Sequence, residues 1–464
     1  MNLLNKLPGV VNPKTRLNFK DRLKWTGVSL LLFFLMGYIH VYGAMPDVYG
    51  RFDQISVLMG SEFGTLATLG IGPIVTASIL LQVLVGSKII NWDLNSKAGR
   101  AKFQGTQKLL AIVLCFLEGF AYVLFGAVPA EAANLIPILG LQIAMGGLII
   151  LFLDEVIMKW GIGSGVSLFI AAGVSKVIFI GLFSPFPPVG DIVPAGAIPR
   201  LLYGFSAANF ELVGLAVITM LATVGIFAIC LYTQSIKVEI PLAFSQLRGF
   251  GRRWPLNFFY TSNIPVILAA AMLINITMVG SMMDAQGMPL LGEFDEGGTP
   301  ICAIDESGAE HCGIAYYLSA PHGIMKNALF SLLGTNMGPV EPLRAITYLI
   351  FLTTLCVVFS LFWVETTNSG PEAVANQISG VGMQIPGFRK DKRILVKVLS
   401  KYIYPLAVMG AIAVGVLAAL ADFTGALGTG TGILLTVMIL HNFYERLSTQ
   451  YLEDMNPAMR KFFE

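Results

Sequence analysis

Few side chains in this chain of 464 residues have the type and spacing for covalent or metal chemistry. The four histidines, His40, His311, His322 and His441, stand apart, and no His-Glu-x-x-His pattern occurs. A zinc hydrolase therefore lacks its ligand pair. His311 adjoins Cys312, which is too little for a metal site. No pair of aspartates takes facing positions in the middle of the apolar runs. The GIGSG stretch at 161–165 has the glycines of a phosphate loop but not the Lys-Ser/Thr that must follow, so no ATPase is expected here. Two ionisable groups, Glu118 and Lys176, lie deep in apolar sequence. Such groups are costly in a bilayer and default to a functional hypothesis. Glu118 can hydrogen-bond Thr76 and Asn275 if their segments are neighbours; the other reading is a protonated acid in a packing contact. For Lys176 we favour structural tolerance, with its long stem snorkelling outward. What remains is aliphatic. Ile71 and Val75 are spaced i, i+4 on one helix face, as are Val166 and Ile170. Ile267 and Leu435 follow related motifs later in the chain. By themselves these six read as packing or lipid-facing residues.

The elements that must position these groups are membrane spans. The chain is 55% hydrophobic and 12% charged, with a mean hydropathy of +0.73. A soluble domain has about 25% charged residues. Ten apolar segments are expected to cross: 24–43, 66–87, 107–128, 134–157, 164–183, 211–234, 259–282, 342–364, 402–421 and 430–447. An even number puts both termini on one side. The loops of that side hold 25 of the 30 basic residues, so both termini are expected in the cytoplasm of a multi-pass protein of the cell membrane. The basic N-terminus followed by apolar sequence also fits a cleaved signal, but the run has the length of a full span and is read as uncleaved. Within the basic arm 1–23, residues 3–23 form either an amphipathic surface helix or an unstructured segment.

One span has an unusual front end. Gly70, Gly72 and Pro73 fall within four residues, where the backbone is permissive and then loses a donor. Before it, residues 52–63 form a piece too short and too polar to cross. Irregular backbone at membrane depth must be buried in protein or line a watery cavity. A cavity with a re-entrant piece at its mouth is therefore expected.

The proline-rich loop from Ser184 to Phe210 divides the spans into two sets of five. Five is odd, so two related halves would be inverted repeats. Weak similarities support this: GIGPIVTASIL with SNIPVILAAAM, and GIGSGVSLFI with GTGTGILLTV. The expected organisation is an arm at 1–23, a first half at 24–205, a second half at 206–447 and a cytoplasmic tail at 448–464. Loops 235–258 and 365–401 are basic with interleaved aromatics (Phe250, Trp254, Phe388), which suits either orientation alone or a polyanionic partner such as ribosomal RNA. Cys302 and Cys312 in the outer loop either pair or remain free thiols. Cys115, Cys230 and Cys356 read as small buried apolar residues.

Together TLGIGPIVTASILLQ, IGSGVSLFIAAGVS, VEIPLA, SNIPVILAAAM, IPGFRK and GTGTGILLTV resemble the SecY family, from about Phe19 to Tyr444, in its archaeal variant. The resemblance implies an all-α membrane protein of ten transmembrane helices, in two inverted five-helix halves around an hourglass pore. It implies passage of unfolded secretory chains across the membrane and sideways release of hydrophobic segments into lipid. Carried over by position, Ile71, Val75, Val166, Ile170, Ile267 and Leu435 match the family's pore ring. Segment 52–63, with Phe52, Ile55, Leu58, Met59 and Phe63, matches its plug. Thr76, Glu118 and Asn275 match the polar cluster at the lateral gate. Arg248, Arg252, Arg253 and Arg389 fall in its ribosome-binding loops; only Arg389, in IPGFRK, is matched by motif. The implied partners are small SecE-type and beta-type membrane subunits, the ribosome, nascent polypeptides and membrane lipids, with no cofactor. Lys176 departs from the family pattern, where a neutral residue is expected, and the cysteine-bearing loop lies outside that pattern. An inverted-repeat secondary transporter is the alternative, but it needs polar ligands at the midplane. A membrane scaffold is a third reading.

Overall fold

The structure is a computed structural model that describes residues 8–15, 17–45, 60–92, 94, 96–187, 192–244, 251–261, 263–295, 298–304, 310–321, 341–367, 369–380, 383–384 and 392–455. Ten helices fall on the ten expected spans: α1 (Phe19–Tyr38), α2 (Gly72–Gly86), α3 (Lys97–Leu124), α4 (Ile136–Trp160), α5 (Gly165–Phe183), α6 (Phe210–Gln234), α7 (Ile264–Ala285), α8 (Glu341–Thr366), α9 (Lys392–Phe423) and α10 (Gly430–Met455). Among the described residues seven of these, α3 to α9, are long and apolar enough to cross a membrane by length and composition. The other three differ for visible reasons. The first turns of α1 are charged, the last turns of α10 are polar, and α2 has only 15 residues. The chain is a multi-pass membrane protein.

The short α2 corrects the expectation of a full span at 66–87. Its 15 residues reach roughly 22 Å at 1.5 Å each, less than a hydrocarbon core. Gly70, in the left-handed region at φ +52°, ends a run of turns, and Pro73 sits in the first turn of the helix that follows. The turns are held by backbone and hydroxyl hydrogen bonds. Val41 N–H donates to Gly64 O, Leu66 N–H to Ile39 O and Ala67 N–H to the Thr65 hydroxyl. Thr65 and Thr68 hydroxyls donate to Glu62 O and Thr65 O. These bonds give partners to much of the irregular backbone at this depth.

Helix α4 makes room for these turns. A Cβ on Gly146 would stand 1.9 Å from Leu66 O. Gly146→Ala should therefore lower stability by about 1–3 kcal/mol, the scale of overpacking a filled interior. Thermal unfolding in detergent measures it, and an unchanged midpoint would show that the turns have slack.

The halves meet along two seams. On one, α2 packs against α7 and α8; on the other, α5 packs against α10. Helices α5 and α10 are antiparallel, because Gly163 faces Phe443, Gly432 faces Val174 and Gly428 faces Val177. A short helix, Ala197–Ser206, lies in the loop between α5 and α6 and packs on both. Sequence reading left that loop without structure.

Two small sheets lie outside the helices. Strands β1 (Lys237–Phe244) and β2 (Gly251–Asn257) form a hairpin, with Val238 opposite Leu256 and Leu242 opposite Arg252. Strands β3 (Glu293–Phe294), β4 (Pro300–Ile304) and β5 (Glu310–Cys312) form the second sheet. β6 (Met383–Gln384) pairs with β1 in the first. The two long basic loops are thus one platform rather than separate segments. In the second sheet Cys302 and Cys312 are opposite each other and joined by a disulfide, which resolves the open choice. Cys115, Cys230 and Cys356 are free and buried, as expected.

Residues 8–15 are not helical, so no amphipathic helix occupies that part of the arm. They lie along the end of α4 instead. Lys159 Nζ donates to Val10 O at 2.5 Å and Trp160 Nε1 to Val11 O at 2.8 Å. Glu155 takes Lys108 at 2.7 Å and Lys159 at 2.8 Å.

Candidate functional site

The six aliphatic positions come from α2 and the turn before it, α5, α7 and α10. The fold draws them together. Ile71, Val75, Ile170, Ile267 and Leu435 belong to one continuous buried cluster, and Val166 packs against it. Ile71, Ile170 and Leu435 are each 1% exposed, which separates them from lipid-facing aliphatics such as Leu31 and Ile350 at 58%. The register of α5 on α10 sets Ile170 level with Leu435. Leu30 and Leu349, as apolar as any lipid-facing residue, also pack against this cluster. Hydropathy cannot separate these cases, since a lipid-facing and a buried aliphatic are equally apolar.

A cavity of about 1130 Å³ opens from the end of the bundle that carries Lys108, Lys159 and Arg446. Its walls include Ser78, Gln82, Gln104 and Gln107, polar groups suited to water. Its walls also include Val75, Val166 and Ile267, whereas Ile71, Ile170 and Leu435 are not among them. The funnel therefore ends on aliphatic side chains. Aliphatic side chains offer water no hydrogen bonds, and a narrow pore lined by them resists ions by dewetting.

The three polar residues also meet. Asn275 Nδ2 on α7 donates to Thr76 Oγ1 on α2 at 3.2 Å, and Glu118 on α3 lies beside Thr76. The Asn275–Thr76 bond crosses the seam where α2 meets α7 and couples the halves through one hydroxyl.

Of the segment 52–63, Phe52, Ile55, Leu58 and Met59 lie outside the described residues. Phe63 is buried and stacks on Tyr122, with ring centroids 5.9 Å apart. Lys176 does not snorkel outward. Its ammonium pairs with Glu62 beside Phe63 and lies 5.2 Å from the Tyr38 ring. Sequence reading missed this partner because Glu62 is 114 residues away. Arg248 and Arg389 lie outside the described residues; Arg252 and Arg253 stand on β2, opposite Leu242 and Pro241.

Two functional candidates escaped the sequence reading. Asp154 near the end of α4 and Asp422 at the end of α9 are buried, 7% and 2% exposed. Both bond the first turn of the helix that follows. The signal was present: each precedes one of the two glycine-rich motifs, GIGSG and GTGTG.

Comparisons with known proteins agree with this architecture. The SecY family profile matches residues 65–444. The protein translocase subunit SecY of Methanothermobacter thermautotrophicus is 42% identical, covering 99% of this chain and 97% of its own. A solved structure described as that of a protein conducting channel superposes with a TM-score of 0.82 at 40% identity, over 98% of each chain. Sec61 from a canine ribosome-channel complex of the endoplasmic reticulum gives 0.79 at 40% identity, again over 98% of each. With its broken second span, two seams and aliphatic waist, this chain belongs to the SecY family.

Proposed function

We propose that this protein is the central subunit of a protein translocation channel. It passes unfolded secretory polypeptides across the cell membrane and releases hydrophobic segments sideways into lipid. The observation that carries the reading is a funnel, with polar side chains among its walls, ending on aliphatic residues contributed by both halves. An aliphatic constriction gives a passing chain nothing specific to bind, which a conduit for arbitrary sequences requires. The six residues Ile71, Val75, Val166, Ile170, Ile267 and Leu435 form the constriction. Segment 52–63 blocks it in the closed state. The seam of α2 against α7 and α8 is the lateral exit, latched by Thr76, Glu118 and Asn275. No catalytic step occurs in this chain, and the driving force comes from a partner.

The platform of β1, β2 and β6 carries Arg252 and Arg253; in sequence Arg248 falls between β1 and β2 and Arg389 follows β6. We assign it to the ribosome, in keeping with the ribosome-channel complex that the Sec61 relative comes from. Small SecE-type and beta-type membrane subunits complete the channel. Co-purification from native membranes tests the set: recovery of the chain without small membrane proteins or ribosomes would remove these partners.

Both termini and the platform face the cytoplasm, and the disulfide-bearing sheet faces outside. A membrane-impermeant maleimide applied to intact, mildly reduced cells should then label Cys302 or Cys312. Cys115, Cys230 and Cys356 are buried and contribute no background. Labelling that requires lysis would reverse the orientation.

A further inference from the structure

The two glycine-rich motifs have no role in the reading above, although each opens a helix that carries part of the constriction. Val166 and Ile170 lie on the first two turns of α5, and Leu435 on the second turn of α10. Each of those first turns is held by a buried acid from the end of the preceding span. Val166 N–H donates to Asp154 Oδ1 at 2.9 Å. Thr431 N–H donates to Asp422 Oδ1 at 2.8 Å, and the Thr431 hydroxyl donates to Oδ2. Tyr348 Oη, from α8, donates to Oδ2 at 2.8 Å.

The glycines make the reach possible. A Cβ on Gly165 would stand 2.5 Å from Asp154 Cα, and one on Gly430 would stand 2.0 Å from the Ala421 carbonyl carbon. Any side chain there would push the helix start off the span that holds its acid. The free N–H groups of a helix's first turn need acceptors, and a carboxylate there also meets the positive end of the helix dipole. The devices are therefore equivalent in the two halves. Because α5 and α10 are antiparallel, they act from opposite ends of the bundle on residues that share one level.

We propose that Asp154 and Asp422 are positioning residues for the constriction: each fixes the depth and rotation of the fifth helix of its half, and with it Val166 and Ile170 or Leu435. The inference rests on the assignment of those residues to the pore. The bonds are short, buried and directed at the turn that carries the ring, so their loss moves the ring before it unfolds the bundle. Asparagine keeps an Oδ1 acceptor for the helix N–H, whereas alanine leaves that N–H without a partner.

The test is ion leak in purified, reconstituted vesicles, read beside thermal unfolding of the same preparations. Asp154→Ala and Asp422→Ala should each raise leak about fivefold over the parent, with Asp154→Asn close to it. Asp422→Asn keeps the acceptor for Thr431 N–H but not the one for the Thr431 and Tyr348 hydroxyls, and should fall between parent and alanine. Thr431→Val removes one bond only and gives a milder leak, which keeps the test open where an alanine variant does not fold. Ser360→Ala removes buried bonds to Thr261 and Ala407, away from both helix starts, and serves as the control. It should lose stability without leak. Leak that follows stability across all variants, Ser360→Ala included, reduces the acids to structural residues and overturns the inference. So does a folded alanine variant that stays tight. Serine at Ile71, Ile170 or Leu435 separates the premises. If these leak and the acid variants do not, the positioning role alone fails. If they do not leak, the pore assignment fails first.

Discussion

Serine at Ile71, Ile170 or Leu435 should raise ion leak through reconstituted vesicles by about tenfold, and combinations more, since every 1.4 kcal/mol removed from a barrier is one decade in rate. The three are the proposed ring positions that lie beyond the walls of the funnel, and the most buried of the six. In the proposed pore the barrier is the reluctance of water to enter an aliphatic neck. A hydroxyl supplies a donor and acceptor, and the smaller side chain widens the gap, so both changes admit water. The same substitutions weaken the closed state and let poorer signal segments through. Serine at Leu31 or Ile350, each 58% exposed, is the matched control and should not leak. A cysteine at Ile71 should crosslink to a cysteine in a stalled, half-translocated chain. Equal leak from ring and control variants, with no crosslink at any ring position, would remove the pore assignment.

Asn275→Leu should lower the hydrophobicity that a segment needs to leave sideways into lipid. The bond from Asn275 to Thr76 crosses the seam between halves and exists only while α2 and α7 are together. Hydrogen bonds between membrane helices average about 0.6 kcal/mol, with values to about 1.7. One leucine contributes roughly 0.5 kcal/mol to insertion. Loss of the bond therefore shifts the threshold by about one to three leucines in a graded series of test segments. Glu118→Gln keeps a hydrogen-bonding group toward Thr76 and should shift it less than Glu118→Leu. An insertion curve that does not move with either leucine variant would leave the cluster as packing alone.

Partial opening along this seam is consistent with the packing. The seam of α2 with α7 and α8 is crossed by the hydrogen bond from Asn275 to Thr76. The opposite seam, α5 on α10, is a glycine-fitted antiparallel contact braced by the helix Ala197–Ser206, which packs on α5 and α6. Spreading the halves about the second seam would part the first, and would draw Ile71 and Val75 away from Ile267.

What the amino-acid order determined by itself follows from local physics. Transfer of apolar side chains out of water is a property of a twenty-residue window, so all ten helices fall on the expected segments. Gly70, Gly72 and Pro73 act on their own backbone, which made the break before α2 legible, though not that it would shorten the helix to 15 residues. Ile71 and Val75 could be put on one helix face, but nothing local distinguished them from Leu30, because burial inside the bundle and exposure to lipid select the same side chains. Only tertiary packing brought Ile170 level with Leu435 across 265 positions, gave Lys176 its partner Glu62, and joined loops 235–258 and 365–401 through β1 and β6. The same holds for Asp154 and Asp422. A carboxylate in apolar sequence reads as a liability until the helix start that needs an acceptor is folded against it.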